Sequence, residues 1–107
     1  MASWLSGVLE RIHKLANEGK VRLIVKALAE VRGLGLGLGD VVDILTTLSM
    51  VDSAGRLRSS SSSEWLYVFK PTVAETVFYG KVVLRGDCVV VSFHKDESDE
   101  EGSRQEH

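Results

Sequence analysis

Apolar positions recur along the first half of the chain at spacings of three and four. Trp4, Val8, Ile12 and Leu15, with Leu5, Leu9 and Ala16 beside them, form the stripe of an amphipathic helix, and Gly19 stands where that helix should stop. A second stripe through Val21, Ile24, Ala27, Leu28 and Val31 predicts another helix ended by Gly33. Leu34 to Gly39 alternates leucine with glycine, too flexible for a regular element and too apolar for a linker, so it reads as a connector with tucked leucines. Asp40 then caps a third helix, whose buried side is Val41, Ile44, Leu45 and Leu48, and Ser49 with Asp52 resembles a capping box that opens one further short turn.

From residue 56 the period falls to two. Arg56–Ser59 and Trp65–Lys70 read as strands joined by a run of five serines, Ser59 to Ser63, and Pro71 ends the second of them. Val77–Leu84 and Cys88–His94 are the clearest strands, and Arg85-Gly86 as a two-residue turn would set Phe78 against Phe93 and Val82 against Val89 on the core side. The other side then carries Tyr79 opposite Ser92, Lys81 opposite Val90, and His94 diagonal to Tyr79. The expected fold is α+β: three N-terminal helices packed on a small antiparallel sheet of three to four strands, with the sheet's far face left for function.

Composition narrows the classes. With 107 residues, 44% of them hydrophobic and 26% charged, the chain suits one globular domain, expected over residues 1–95. A lone cysteine, Cys88, makes no internal bridge, no apolar run approaches a membrane span, and no secretory signal stands at the N-terminus, so a cytoplasmic protein without a membrane partner is expected. The net charge of -2 conceals a split: residues 96–107 sum to -5 and are expected to be a disordered acidic tail, whereas residues 53–95 hold six bases against three acids. Such a basic half fits a polyanionic partner or ordinary solvated surface.

Nucleotide-binding, zinc and metalloprotease motifs are missing, and His13, His94 and His107 are too scattered for a metal site, so neither metal nor cofactor is expected. Tyr79, Lys81 and His94 share the outer sheet face, with Arg56, Arg58 and Lys70 on neighbouring strands. Those residue types suit RNA cleavage, because attack by a ribose 2′-hydroxyl needs one group to take a proton, another to return one, and cations to hold the phosphate. An ordinary polar sheet face is the competing reading.

The order of segments is more specific than any one of them. His13-Lys14-Leu15-Ala16-Asn17-Glu18-Gly19-Lys20-Val21-Arg22, then Leu34-Gly35-Leu36, Leu48-Ser49 with Asp52, Trp65 before Val68-Phe69-Lys70-Pro71, Phe78-Tyr79-Gly80-Lys81-Val82 and Val89-Val90-Val91-Ser92-Phe93 resemble the MqsR-type toxins over roughly residues 8–95. The resemblance implies a small fold related to the RelE toxins, a metal-independent endonuclease acting on single-stranded mRNA, and a cognate antitoxin protein as partner. By the same resemblance the family's catalytic tyrosine falls on Tyr79 with Lys81 following, and its last-strand cation falls on His94. Its lysine after the short helix falls near Gly55, beside Arg56 and Arg58, and Leu66 replaces its glutamine. The expected catalytic set is therefore Tyr79, His94 and Arg56, with Arg58, Lys70 and Lys81 binding substrate. A degenerate toxin that binds antitoxin or RNA without cleaving is the alternative.

Overall fold

A computed structural model describes residues 3–97. Its elements in order are α1 (Leu5–Asn17), β1 (Val21–Leu23), α2 (Val25–Gly33), α3 (Leu38–Thr47), a 3-10 turn (Met50–Asp52), β2 (Ser53–Arg58), β3 (Trp65–Phe69), β4 (Thr72–Val73), β5 (Thr76–Leu84) and β6 (Cys88–Lys95). The fold is α+β, but the expected sheet of three to four antiparallel strands is corrected to a mixed sheet of six, ordered β1-β6-β5-β3-β2 with β4 paired to β5. Nor do the helices form an N-terminal block, since β1 separates α1 from α2.

The extra strands have local causes. Val21 to Leu23 fits a helical stripe by spacing, yet it pairs in parallel with Cys88 to Val90, flanked by a Cys88 N–H bond to the Lys20 carbonyl (2.9 Å) and an Ile24 N–H bond to the Val90 carbonyl (3.1 Å). Partners more than sixty positions away in the chain thus decide a segment whose own period is ambiguous. Gly19, at φ +74, supplies the left-handed turn that lets the chain leave α1 for β1. β4 exists because Ala74 and Glu75 both adopt positive φ and fold Thr72–Val73 back on Thr76–Val77.

α1 and α3 lie on one face of the sheet. Leu5, Val8, Leu9, Ile12 and Ala16 from α1, and Val41, Ile44, Leu45 and Leu48 from α3 and its end, meet Phe69, Phe78, Val82, Cys88, Val90 and Phe93 in one core. Ile12 is fully buried, so Ile12→Ala would cost about 2–5 kcal/mol. His13 donates from Nε2 to the Leu48 carbonyl (2.7 Å), tying α1 to the end of α3. α2 instead lines the edge of β6 beyond β1, where Glu30 accepts the Phe93 N–H at 3.0 Å and satisfies a donor that β1 is too short to reach. Asp40 lies inside the first turn of α3 rather than before it, accepting the Gly37 N–H at 2.8 Å, and the Leu-Gly connector is correspondingly shorter.

The β5–β6 hairpin is offset from the expected register. Leu84 pairs with Cys88 around a three-residue turn, and an extra residue on β6 between Lys81 and Val82 shifts the ladder again, so that Gly80 faces Phe93 and Tyr79 faces His94 directly. The offset at the Tyr79 end is two residues, an even number, so each side chain there keeps its expected face.

Candidate functional site

The face away from α1 and α3 can be built row by row from the ladders. Lys81 lies between Val68 and Ser92, and Tyr79 lies beside His94. The Phe78 N–H bond to the Pro71 carbonyl (2.9 Å) carries the β3–β5 register through Lys70 and sets it opposite Tyr79. The Asp96 N–H bond to the Val77 carbonyl (2.8 Å) likewise continues the β5–β6 register past His94. Lys70, Tyr79, Lys81, His94 and Asp96 therefore share one end of one face.

Their geometry is defined. The Tyr79 and His94 rings stack at 5.0 Å between centroids and 9° between planes, and both are half-buried. His94 Nδ1 lies 2.8 Å from the Lys95 carbonyl oxygen, which can only accept, so Nδ1 carries the proton of the neutral ring and Nε2 keeps its lone pair. The Lys81 ammonium is 5.9 Å from the Tyr79 ring, and the Lys70 ammonium pairs with Asp96 at 3.6 Å. This arrangement offers a proton acceptor, a hydroxyl and cations beside one another.

Two of the expected residues lie elsewhere. β2 pairs with β3 so that Arg56 faces Tyr67 and Arg58 faces Trp65, and those partners project to the helix side with Val82 and Gly80. Arg56 accordingly stacks on Trp4, just before α1, and is separated by the sheet from Tyr79 and His94. A one-residue bulge in β2 between Ser53 and Arg56, where Gly55 takes φ +96, fixes this choice, and so short and polar a strand gives no sign of it in sequence. Leu66, by contrast, projects to the same face as Tyr79 and is half-buried.

Asp96 falls in the acidic tail by its charge, but its alternation with His94 extends the period-two pattern of β6, and its N–H bond to the Val77 carbonyl keeps it on the sheet. Residues 98–107, most of the expected tail, lie outside the described residues. Cys88 is buried, and burial with Asp87 beside it pushes its thiol up to about 12, which leaves it inert near neutrality. Among the described residues no three His, Cys, Asp or Glu side chains are placed to hold a metal ion, and no helix is long and apolar enough to cross a membrane.

Comparison with curated proteins gives no match. The model of the family described as motility quorum-sensing regulator, toxin of MqsA, matches residues 7–95, which span β1 to β6 and every residue of the site except Asp96. The match covers most of the chain, and the protein belongs to this MqsR toxin family.

Proposed function

We propose that the protein is an endoribonuclease that cleaves single-stranded mRNA in the cytoplasm without a metal ion and is neutralised by a protein antitoxin of the MqsA kind. The observation that carries this reading is the stacked Tyr79–His94 pair with Lys81 and Lys70 beside it. Three positions that the family resemblance marks, Leu66, Tyr79 and His94, also share this face. In the reaction, the His94 Nε2 lone pair takes the proton of a ribose 2′-hydroxyl as its oxygen bonds to the adjacent phosphorus. The bond from phosphorus to the 5′-oxygen breaks, the Tyr79 hydroxyl gives that oxygen its proton, and a 2′,3′-cyclic phosphate and a 5′-hydroxyl result. Lys81 balances the charge that develops on the phosphoryl oxygens, with Lys70, already paired to Asp96, in a lesser role. Arg56 and Arg58 take no part, being on the other face.

Removing either proton-transfer group should slow cleavage by roughly 10²–10⁴-fold. The test measures cleavage of single-stranded RNA in EDTA by the wild type, Tyr79→Phe and His94→Ala. Wild-type rates from both variants would remove the site. One feature favours binding without cleavage: Leu66 sets an apolar side chain where the family has glutamine. A wild type inactive on free RNA and on ribosomes alike, yet bound to its antitoxin, would establish that second reading.

A further inference from the structure

The chain has two tryptophans, and both stand in one stack outside the site just described. The Arg56 guanidinium carbon lies 4.7 Å from the Trp4 ring centroid and 3.9 Å from that of Trp65, and the Arg58 guanidinium carbon lies 4.0 Å from Trp65. Tyr67 backs Trp4 at 5.6 Å. Register produces this alternation of rings and guanidinium groups, since Arg56 faces Tyr67 and Arg58 faces Trp65 across the β2–β3 ladder.

Among the described residues Arg56 and Arg58 form no ion pair, and Arg56 makes no hydrogen bond, while Arg58 donates once, to the Ser63 carbonyl at 2.6 Å. The acid next to Trp65 in sequence, Glu64, is held away by Arg85 through two bonds of 2.9 Å. A guanidinium stacked by its face keeps its N–H groups in the plane, where phosphate oxygens can meet two at once. Arg58 is exposed, and a base can stack on a guanidinium plane as on an aromatic ring. A ligand combining negative charge with flat rings satisfies both features, whereas an acidic peptide satisfies only the first.

We infer that the Trp4–Arg56–Trp65–Arg58 stack is a second contact for single-stranded RNA, on the opposite sheet face from Tyr79 and His94, reached by the strand passing over the β2 edge. The identity of the ligand as RNA rests on the ribonuclease reading; the stack itself does not. Because both tryptophans report on it, the experiment titrates the protein with a 2′-O-methyl oligouridylate, which has no free 2′-hydroxyl and cannot be cleaved, and follows tryptophan fluorescence. Quenching should accompany binding and weaken with salt. Arg58→Ala should lower the affinity about tenfold, and Arg58→Lys should retain the charge but recover only part of the loss. Circular dichroism confirms that each variant is folded.

Cleavage by the wild type together with unchanged affinity in Arg58→Ala would overturn the second contact and leave the ribonuclease reading standing. Arg58-dependent quenching without cleavage would do the reverse. Displacement of the oligonucleotide by polyglutamate as readily as by an equal charge of RNA would also overturn it, by making the stack a surface for carboxylates. So would a failure to bind the oligonucleotide at all.

Discussion

Leu66 is the side chain that most separates an attenuated ribonuclease from a binding module. It is half-buried on the face of Tyr79 and His94, so an amide placed there reaches water and is not stranded in the core. Leu66→Gln should leave stability within about 0.5 kcal/mol and raise cleavage severalfold, up to about 10²-fold if the amide gains one transition-state hydrogen bond. Unchanged cleavage with an unchanged melting curve would show that the missing glutamine is not what limits activity. Cys88 gives a second, independent expectation. Its folded-state value of about 12 lies above the ordinary 9.0, so between those values the folded protein holds a proton that the unfolded chain releases. The thiol's contribution to stability is therefore complete below pH 9.0 and declines as pH rises towards 12. Urea midpoints of wild type and Cys88→Ala should converge over that range, whereas a constant gap would mean that the thiol is not protected by burial.

The hairpin of β4 and β5 turns through Ala74 and Glu75 at φ 49 and 70, values that L-residues adopt at a cost of roughly 1–2 kcal/mol each and that Asn-Gly supplies readily. Replacing the pair by Asn-Gly should raise the melting temperature by roughly 4–8 °C per kcal/mol recovered. No rise would show that the turn relaxes at little cost. No glycine or asparagine marks this turn, which is why β4 is invisible in the sequence. β1 is hidden for a different reason: Val21, Ile24 and Ala27 satisfy a helical period until Cys88–Val90 competes for the first part of the segment. The stripes of α1 and α3 are legible because each closes its own hydrogen bonds and buries a single face. The long strands β5 and β6 are legible too, but their register depends on a bulge and on a three-residue turn that Arg85-Gly86 does not announce. Tyr79, Lys81 and His94 were brought to one face because the register shift is even, while Arg56 and Arg58 went to the other because the bulge at Gly55 resets β2.

Taken together, the basic half of the chain presents its charge on two surfaces rather than one. Tyr79, Lys81 and His94 with the Lys70–Asp96 pair occupy one side of the sheet, and Arg56 and Arg58 between the tryptophans occupy the other. α2 closes the β6 edge, whereas β2 ends the sheet at its opposite side, so a strand running between the two surfaces has β2 as its open route. Exposed cations act on a polyanion through counterion release, so affinity for single-stranded RNA should fall steeply as salt rises, even where the chemistry at His94 is unchanged. The chemistry is tested most directly by the ends it leaves. A random-sequence single-stranded RNA, incubated with the protein in EDTA, should yield fragments ending in 2′,3′-cyclic phosphate and beginning with 5′-hydroxyl, and Tyr79→Phe and His94→Ala should suppress both together. Fragments bearing 3′-hydroxyl and 5′-phosphate ends, or no fragments from a folded wild type on free or ribosome-bound RNA, would contradict the assignment of this face to RNA cleavage.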